Sequence, residues 1–98
     1  MNQWAGIVRT AETSTGKNFY AKYDSTAVYA EKEFGFVAFK MNLFNESDHK
    51  LQWSFDGVTL HGELQSWQSR DISMDGETSV YIRVDDATGD NYIHISAY

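Results

Sequence analysis

The histidines and carboxylates are the side chains through which this sequence could carry out chemistry. It contains three histidines and 14 acidic residues but no cysteine, which excludes disulfides, thiolate catalysis and cysteine-ligated zinc. The histidines, at positions 49, 61 and 94, do not form the H-x-H or H-E-x-x-H spacing of zinc hydrolases. His61 and Glu63 would point the same way on a strand and offer two metal ligands, but the sequence indicates no third. We therefore expect no metal site and no cofactor.

Paired carboxylates could flank a glycosidic bond, and two such pairs can be picked out: Glu31 with Glu33, and Glu63 with Asp71. The second half of the chain is so acidic that pairs of this kind arise from composition alone. Residues 85–91 depart from the calcium-loop pattern D-x-[DN]-x-[DN]-G, and a hairpin turn explains them. The Walker A, G-x-G-x-x-G and G-x-S-x-G motifs do not occur in the sequence. We therefore expect no catalytic residues and no enzymatic activity.

The charge is unevenly distributed, and this bears on the choice of partner. Residues 1–45 carry a net charge of +1 and residues 46–98 carry −7, which together give the net charge of −6. The acidic half would repel a polyanionic backbone, so nucleic acid is not an expected partner. The sequence has no run of about 18 apolar residues and no signal-peptide pattern, so we expect neither a membrane span nor secretion.

The elements that must position any site are predicted to be β-strands from end to end. The chain has 98 residues, 42% of them hydrophobic and 15% aromatic, which suits one core and a single domain over residues 1–98. Strand-like alternation is clearest in residues 34–44, 51–55, 58–64, 79–85 and 91–98. Residues 5–10 and 19–23 are weaker strands, and residues 1–4 are a candidate free arm. The pattern predicts an antiparallel β-sandwich or jelly-roll-like fold of about seven to eight short strands.

The alternation also predicts which side chains face the core. In residues 34–44, one face of the strand carries Val37, Phe39, Met41 and Leu43. In the last two strands, the inward side chains are Val80, Ile82, Val84, Ile93, Ile95 and Ala97.

Residues 25–34 fit two structures. Ser25 or Thr26 could cap a short helix over residues 27–32. Val28 and Tyr29 favour a strand instead, and a strand is the structure we expect, although the sequence leaves the helix open.

A hairpin is the clearest single element. Asp56 and Gly57 separate two alternating runs, which is the pattern of a two-residue type I′ loop in which both residues need a positive φ. That loop sets the register and places the large apolar residues on one core face. The implied pairs are Phe55 with Val58, Trp53 with Leu60, and Leu51 with Gly62.

Aromatic residues outside the core pattern are the candidates for contact with other molecules. If residues 79–85 and 91–98 pair, their outer face carries Tyr81, Arg83, Tyr92, His94 and Tyr98. Aromatic residues together with arginine are enriched at protein interfaces. The alternative is that the N-terminal segment covers this face. The candidate interface residues are therefore Trp4, Trp67, Tyr81, Arg83, Tyr92 and Tyr98.

From about Phe34 to the C-terminus, the chain resembles small all-β structural proteins of tailed bacteriophages. The matching pieces are residues 53–64 with their Ser-Phe-Asp-Gly hairpin, residues 79–83, and the Ile-Ser-Ala-Tyr ending. The resemblance implies a non-enzymatic virion component, either a capsid decoration or cement protein or a head–tail or tail accessory protein. Such a protein would contact capsid or tail proteins, form homo-oligomers, and reside in the virion after assembly in the host cytoplasm.

Two other functions stay open on the sequence alone. A carbohydrate-binding β-sandwich module would stack sugars on exposed aromatic side chains, for which Trp67, Tyr81 and Tyr92 are candidates. An acidic inhibitor that mimics DNA would instead use the charge of the second half. It predicts that five carboxylates share one face: Asp56, Glu63, Asp71, Asp75 and Asp85.

Overall fold

A computed structural model describes residues 17–98 as six strands of one antiparallel sheet. The strands are β1 (Phe19–Asp24), β2 (Ala30–Glu46), β3 (Leu51–Ser54), β4 (Gly62–Leu64), β5 (Ser69–Val84) and β6 (Tyr92–Ala97). Their order across the sheet is β1-β6-β2-β5-β3-β4. The predicted all-β class is confirmed. The predicted strand over residues 5–10 and the arm over residues 1–4 lie outside the described residues.

The two long central strands, β2 and β5, pair in two separate segments. Residues 30–33 lie opposite residues 79–82, and residues 40–44 lie opposite residues 69–73, with register shifts between the two segments. Gly35 (φ 86°) and Gly76 (φ 99°) lie in the irregular part, where the backbone takes a conformation that suits glycine. The first paired segment adjoins β3, and the second adjoins β6.

The register shift changes which side chains of β2 face the core. Met41 and Leu43 are fully buried, as predicted, but Val37 and Phe39 are each 46% exposed, so their predicted core position is wrong. Phe34 and Ala38 are buried in their place. A bulge adds residues to one strand only, so the alternation of inward and outward side chains does not continue across it.

Contacts between strands that are not neighbours in the sheet order show that the sheet bends. The ring centroid of Phe19 on β1 is 5.6 Å from that of Phe34 on β2, and Lys32 Nζ on β2 is 4.4 Å from the ring centroid of Tyr23 on β1. At the opposite edge, Asn45 Nδ2 on β2 donates to the carbonyl of Leu64 on β4 at 3.3 Å. One buried cluster therefore includes side chains from widely separated strands, among them Leu51, Trp53, Leu64, Ile93 and Ile95.

The β3–β4 hairpin exists, but its loop and register differ from the prediction. Trp53 pairs with Gly62 and Leu51 with Leu64, a shift of two residues, so the predicted Trp53–Leu60, Phe55–Val58 and Leu51–Gly62 pairs are wrong. The connection spans residues 55–61 rather than two residues, and Val58 and Leu60 are exposed.

The backbone of this connection explains why the two-residue loop does not form. The predicted positive φ of Gly57 is confirmed at 79°, but Asp56 does not take the positive φ that a type I′ turn requires. The side chains of Ser54 and Asp56 accept hydrogen bonds from backbone N–H groups of the loop and so compete with ladder pairing.

Residues 25–34 form strand from Ala30 onward and contain no helix, so the expected strand is confirmed for that part. Ser25 is buried, and its backbone N–H donates to the carbonyl of Asn91 at 2.8 Å. In the described part of the chain, no helix is long and apolar enough to cross a membrane.

Candidate interaction surfaces

The predicted aromatic and arginine patch does not form as one surface. It required the strands that carry Tyr81 and Tyr92 to pair, but β2 lies between β5 and β6. Tyr98 lies at the other end of β6 from Tyr92 and is bonded through its backbone to Lys40. Trp67 lies in the turn before β5, and Trp4 lies outside the described residues. The candidate interface residues therefore do not share one surface.

Tyr81 and Arg83 are half-buried and engaged within the protein. The Tyr81 ring packs on Gly57, so that a Cβ atom there would lie 3.0 Å from Tyr81 Cε2. Arg83 Nε donates to Gln52 Oε1 at 2.7 Å, and the guanidinium lies 4.2 Å from the ring centroid of Tyr29. These two residues support the base of the loop between β3 and β4 and present little free surface.

We call that loop, together with Ser54 at the end of β3, the projecting loop (residues 54–61), and two side chains fix its backbone. Ser54 Oγ accepts from the N–H groups of Asp56 and Gly57 at 3.2 and 3.0 Å and donates to Asp56 Oδ1 at 2.8 Å. Asp56 Oδ1 also accepts from the N–H groups of Val58 and Thr59 at 2.8 and 2.7 Å. These backbone and side-chain hydrogen bonds hold the pKa of the Asp56 carboxyl well below its usual range.

A second set of contacts closes the loop. Phe55 N–H donates to His61 Nδ1 at 3.0 Å, the two ring centroids lie 5.4 Å apart, and His61 N–H donates to the Trp53 carbonyl at 3.0 Å. The side chain of Val58 is nonetheless 85% exposed and that of Leu60 is 46% exposed. The loop is therefore braced at its base while its apolar side chains face solvent.

A second surface, which we call the aromatic strip, consists of Tyr20, His94, Phe44 and Trp67. The rings follow one another across β1, β6, β2 and the turn before β5, with centroid separations of 6.0, 5.4 and 6.2 Å. His94 lies directly opposite Phe44 in the β2–β6 ladder, so the two share the outer face of the sheet. Tyr20 is 63% exposed and Trp67 is 59% exposed. Of the predicted interface residues, only Trp67 belongs to the strip.

Hydrogen bonds orient the rings of the aromatic strip. Tyr20 Oη and His94 Nδ1 lie 2.5 Å apart, and His94 Nε2 lies 2.6 Å from Glu46 Oε1. At the other end, Trp67 Nε1 donates to Asp48 Oδ1 at 3.3 Å. Trp67 has a φ of 62°, the only positive φ of a non-glycine residue in the described part of the chain.

The sequence pattern does not single out Tyr20 or Phe44 as surface aromatic residues that act together. The strands β1, β6 and β2 are neighbours in the sheet but far apart in the chain, so no local spacing connects these two rings. The sequence does indicate that Tyr20, Phe44 and His94 point outward in their own strands. This predicts the strip only when the pairing of β6 with β1 and β2 is known.

A groove of about 290 Å³ lies beside the irregular part of β2. It is lined by Glu31, Glu33, Gly35, Phe36, Val37 and Thr78. Ser79 Oγ donates to Glu31 Oε2 at 2.7 Å, so one of the two predicted paired carboxylates is held in place. The groove brings together Glu31 and Glu33 but no histidine among its lining residues.

The ladders place the paired acidic residues considered for DNA mimicry opposite other residues and not opposite one another. Asp71 lies opposite Asn42 on β2, whereas Glu63 lies opposite Gln52 on β3, and Asp56 is used inside the projecting loop. No two of the five carboxylates are partners in the described ladders. Within residues 17–98, no three histidine or acidic side chains come together as metal ligands.

Within residues 17–98, two surfaces are thus the candidates for function: the projecting loop between β3 and β4, and the aromatic strip on the outer face of the sheet. No protein-family model, curated protein or solved structure matches this chain.

Proposed function

We propose that the protein is a non-enzymatic structural subunit of a tailed-phage virion, either a capsid decoration or cement protein or a head–tail or tail accessory protein. The projecting loop carries this proposal. It contains the Ser-Phe-Asp-Gly motif on which the resemblance to phage structural proteins depends. It is braced by hydrogen bonds to Ser54 and Asp56, yet Val58 and Leu60 do not contribute to the protein's own core.

Exposed apolar side chains on a fixed loop favour association. Burying apolar surface contributes roughly 25 cal/mol per Å², and a loop that is already ordered loses little conformational entropy when it binds. Val58 is the most exposed large hydrophobic residue in the described part of the chain. A loop of this kind suits docking into an apolar recess on a capsid or tail protein.

Assembly on a symmetric particle would strengthen such a contact. A small loop gives a modest interface, but many copies on one lattice add their contacts by avidity. We infer that the subunit forms homo-oligomers on the particle and resides in the virion after assembly in the host cytoplasm. The net negative charge of residues 46–98 would repel nucleic acid and anionic membranes, so capsid or tail proteins fit better as partners.

The bent sheet supports a finer description of the fold. We propose that the sheet closes on itself as a sandwich or jelly-roll-like structure, with β1 packed against the first half of β2 and the end of β4 joined to the end of β2. The Phe19–Phe34 contact and the Asn45–Leu64 hydrogen bond support this closure. A closed fold would leave the projecting loop at one end, free to reach a neighbour.

The test replaces an apolar side chain of the projecting loop by a charged one. We expect Val58→Asp to reduce self-association and occupancy on pelleted phage particles by about tenfold or more, because a carboxylate would be buried without a partner. The matched control is Val28→Asp, since Val28 is also exposed but lies outside the loop. Circular dichroism and thermal melting should show both variants folded.

Sedimentation velocity and particle co-sedimentation give the readout. The proposal is wrong if Val58→Asp assembles as the wild type does. It is equally wrong if the wild type is monomeric and absent from the pelleted particles.

A further inference from the structure

The aromatic strip has no role in the function proposed above. It lies on the outer face of β1, β6 and β2, and its four rings follow one another at 5.4–6.2 Å between centroids. Two of its side chains, Tyr20 and Trp67, are more than half exposed. A row of partly exposed rings offers several surfaces on which the units of an extended ligand can stack.

The polar groups of the strip narrow the chemistry of that ligand. Glu46 and Asp48 lie among the rings, bonded to His94 and to the Trp67 indole through one oxygen each. Within residues 17–98, the second oxygen of each carboxylate accepts no hydrogen bond. A ligand that used both the rings and these oxygens would combine an apolar face with hydrogen-bond donors at its edge.

Two classes of macromolecule fit this surface poorly. The centres of protein–protein interfaces are depleted of charged residues, because burying a carboxylate against an apolar partner is unfavourable. Nucleic acid stacks well on aromatic rings, but its phosphates would be repelled by Glu46 and Asp48. A sugar ring meets both requirements, because its C–H face packs on an aromatic ring while its hydroxyls donate to carboxylates.

We propose that the aromatic strip binds a neutral oligosaccharide, with Trp67, Phe44 and Tyr20 as stacking residues and Glu46 and Asp48 as hydroxyl acceptors. The left-handed backbone of Trp67 is consistent with this role. A φ of 62° is unfavourable for any residue other than glycine. Backbone conformations of this kind cluster at ligand-binding sites, where they position a side chain. The sugar chain runs across the strands, from Trp67 towards Tyr20.

Three expectations about affinity follow from this geometry. Because Tyr20 and Trp67 are more than half exposed, a ligand on the strip would stay partly in solvent, and dissociation constants should fall in the millimolar to high-micromolar range. Because the platform has several rings, a hexasaccharide should bind more tightly than the matching disaccharide. Because the acceptors are carboxylates, a sulfated polyanion such as heparin should not bind.

The experiment is a titration followed by heteronuclear NMR, in which the Trp67 indole signal is resolved from the signals of the other two tryptophans. The probes are neutral hexasaccharides built from glucose, mannose, galactose and N-acetylglucosamine, with heparin as the polyanion. We expect at least one neutral hexasaccharide to shift the Trp67 indole signal and the amide signals of β6 and β2. Trp67→Ala should weaken binding by about tenfold or more. Phe39→Ala is the matched control, because Phe39 is an exposed aromatic residue that lies beside Gly76 and outside the strip, and it should leave binding unchanged.

Three outcomes overturn the proposal: no neutral hexasaccharide shifts these signals at millimolar concentration, heparin binds as well as they do, or Trp67→Ala binds as the wild type does. Loss of self-association or particle binding in Trp67→Ala, with no glycan bound by the wild type, would also overturn it and make the strip a protein interface. None of these results depends on Val58, so this test is separate from the test of the projecting loop.

Discussion

Two turn regions of this protein each depend on a polar side chain, Asn45 in one and Asp56 in the other, and the two side chains hydrogen-bond in opposite directions. Asn45 is fully buried, and the two hydrogens of its Nδ2 are shared among the carbonyls of His49, Leu64 and Gln65, at N···O distances of 2.7, 3.3 and 3.2 Å. Asp56 is exposed, and its Oδ1 accepts from the N–H groups of two residues of the projecting loop. An amide can donate as well as accept, whereas an ionised carboxylate can only accept.

The difference shows that hydrogen bonds from a side chain to the backbone stabilise the core at one place and fix the conformation of an exposed loop at another. Around Asn45, the held carbonyls belong to the turn after β2, to the last residue of β4 and to the residue that follows it. Ser47 Oγ completes the group by donating to Asn45 Oδ1 at 2.7 Å. A neutral amide suits this buried site, because a charge there would be desolvated. Around Asp56, water solvates the charge, and the hydrogen bonds fix a loop whose Val58 and Leu60 side chains stay outside the core.

The largest effect that would test this comparison is expected from Asn45→Ala. The substitution removes the side-chain donor from the carbonyls of Leu64 and Gln65, whereas Ser47 Oγ and the His49 carbonyl keep their bond to each other. Each buried polar group left unsatisfied costs roughly 1–3 kcal/mol. We expect a loss of about 3 kcal/mol or more in the free energy of unfolding, measured by urea denaturation.

The control for that prediction is Asn42→Ala, which removes one exposed side-chain hydrogen bond to Asp71. It should cost less than about 1 kcal/mol. Equal losses in the two variants would contradict the structural role assigned to Asn45.

The next effect concerns the base of the projecting loop. Gly62 lies opposite Trp53, and a Cβ atom at position 62 would overlap the indole ring, with two of its carbons only 2.6 Å away. We expect Gly62→Ala to destabilise the protein by about 3 kcal/mol, because the indole is buried and has little room to move.

Gly89→Ala is the control for Gly62→Ala. Gly89 has a φ of 77°, so alanine is strained there by about 1 kcal/mol, but a Cβ atom would meet no other atom within 4 Å. A melting temperature that falls less in Gly62→Ala than in Gly89→Ala would contradict the close contact between Trp53 and Gly62.

The sequence predicts the inward faces well where a strand is regular. Ile93, Ile95 and Ala97 on β6 and Val80, Ile82 and Val84 on β5 are all buried, as the alternation indicates. Trp53 is buried too. Period-two alternation is a local property, so it can be recognised without knowing which strands pair.

The strand order and the bulges could not be predicted in the same way. Strand β2 lies between β5 and β6 because of contacts between residues that are far apart in the chain. This order separates Tyr81 from Tyr92. The aromatic strip escaped prediction for the same reason. The irregularity near Gly35 and Gly76 arises from the pairing of β2 with β5, and it leaves Val37 and Phe39 outside the core.

A smaller effect is expected from Gly57 in the projecting loop. Its φ of 79° disfavours a β-branched residue, and a Cβ atom would press on the Tyr81 ring at 3.0–3.3 Å. We expect Gly57→Val to cost about 2 kcal/mol in the free energy of unfolding. Gly57→Asn brings the same Cβ atom but tolerates the left-handed region better, so it should cost less. If the two variants are equally stable, steric contact with Tyr81 and not the backbone conformation sets the cost.

The smallest expected effect is a pH dependence of the free energy of unfolding, which should distinguish the charged Asp56 from the neutral Asn45. The pKa of Asp56 is lowered in the folded state by the hydrogen bonds of Thr59, Val58 and Ser54. Its carboxylate therefore contributes stability that is fully present above the unfolded pKa of 3.8 and is lost as the pH falls through the folded value. Wild type and Asp56→Asn should differ in urea midpoint at neutral pH and converge in acid. Asn45→Ala should differ from wild type by the same amount at every pH at which the protein is folded, because an amide does not titrate. A constant gap for Asp56→Asn down to the acid limit would show that the carboxylate charge does not brace the loop.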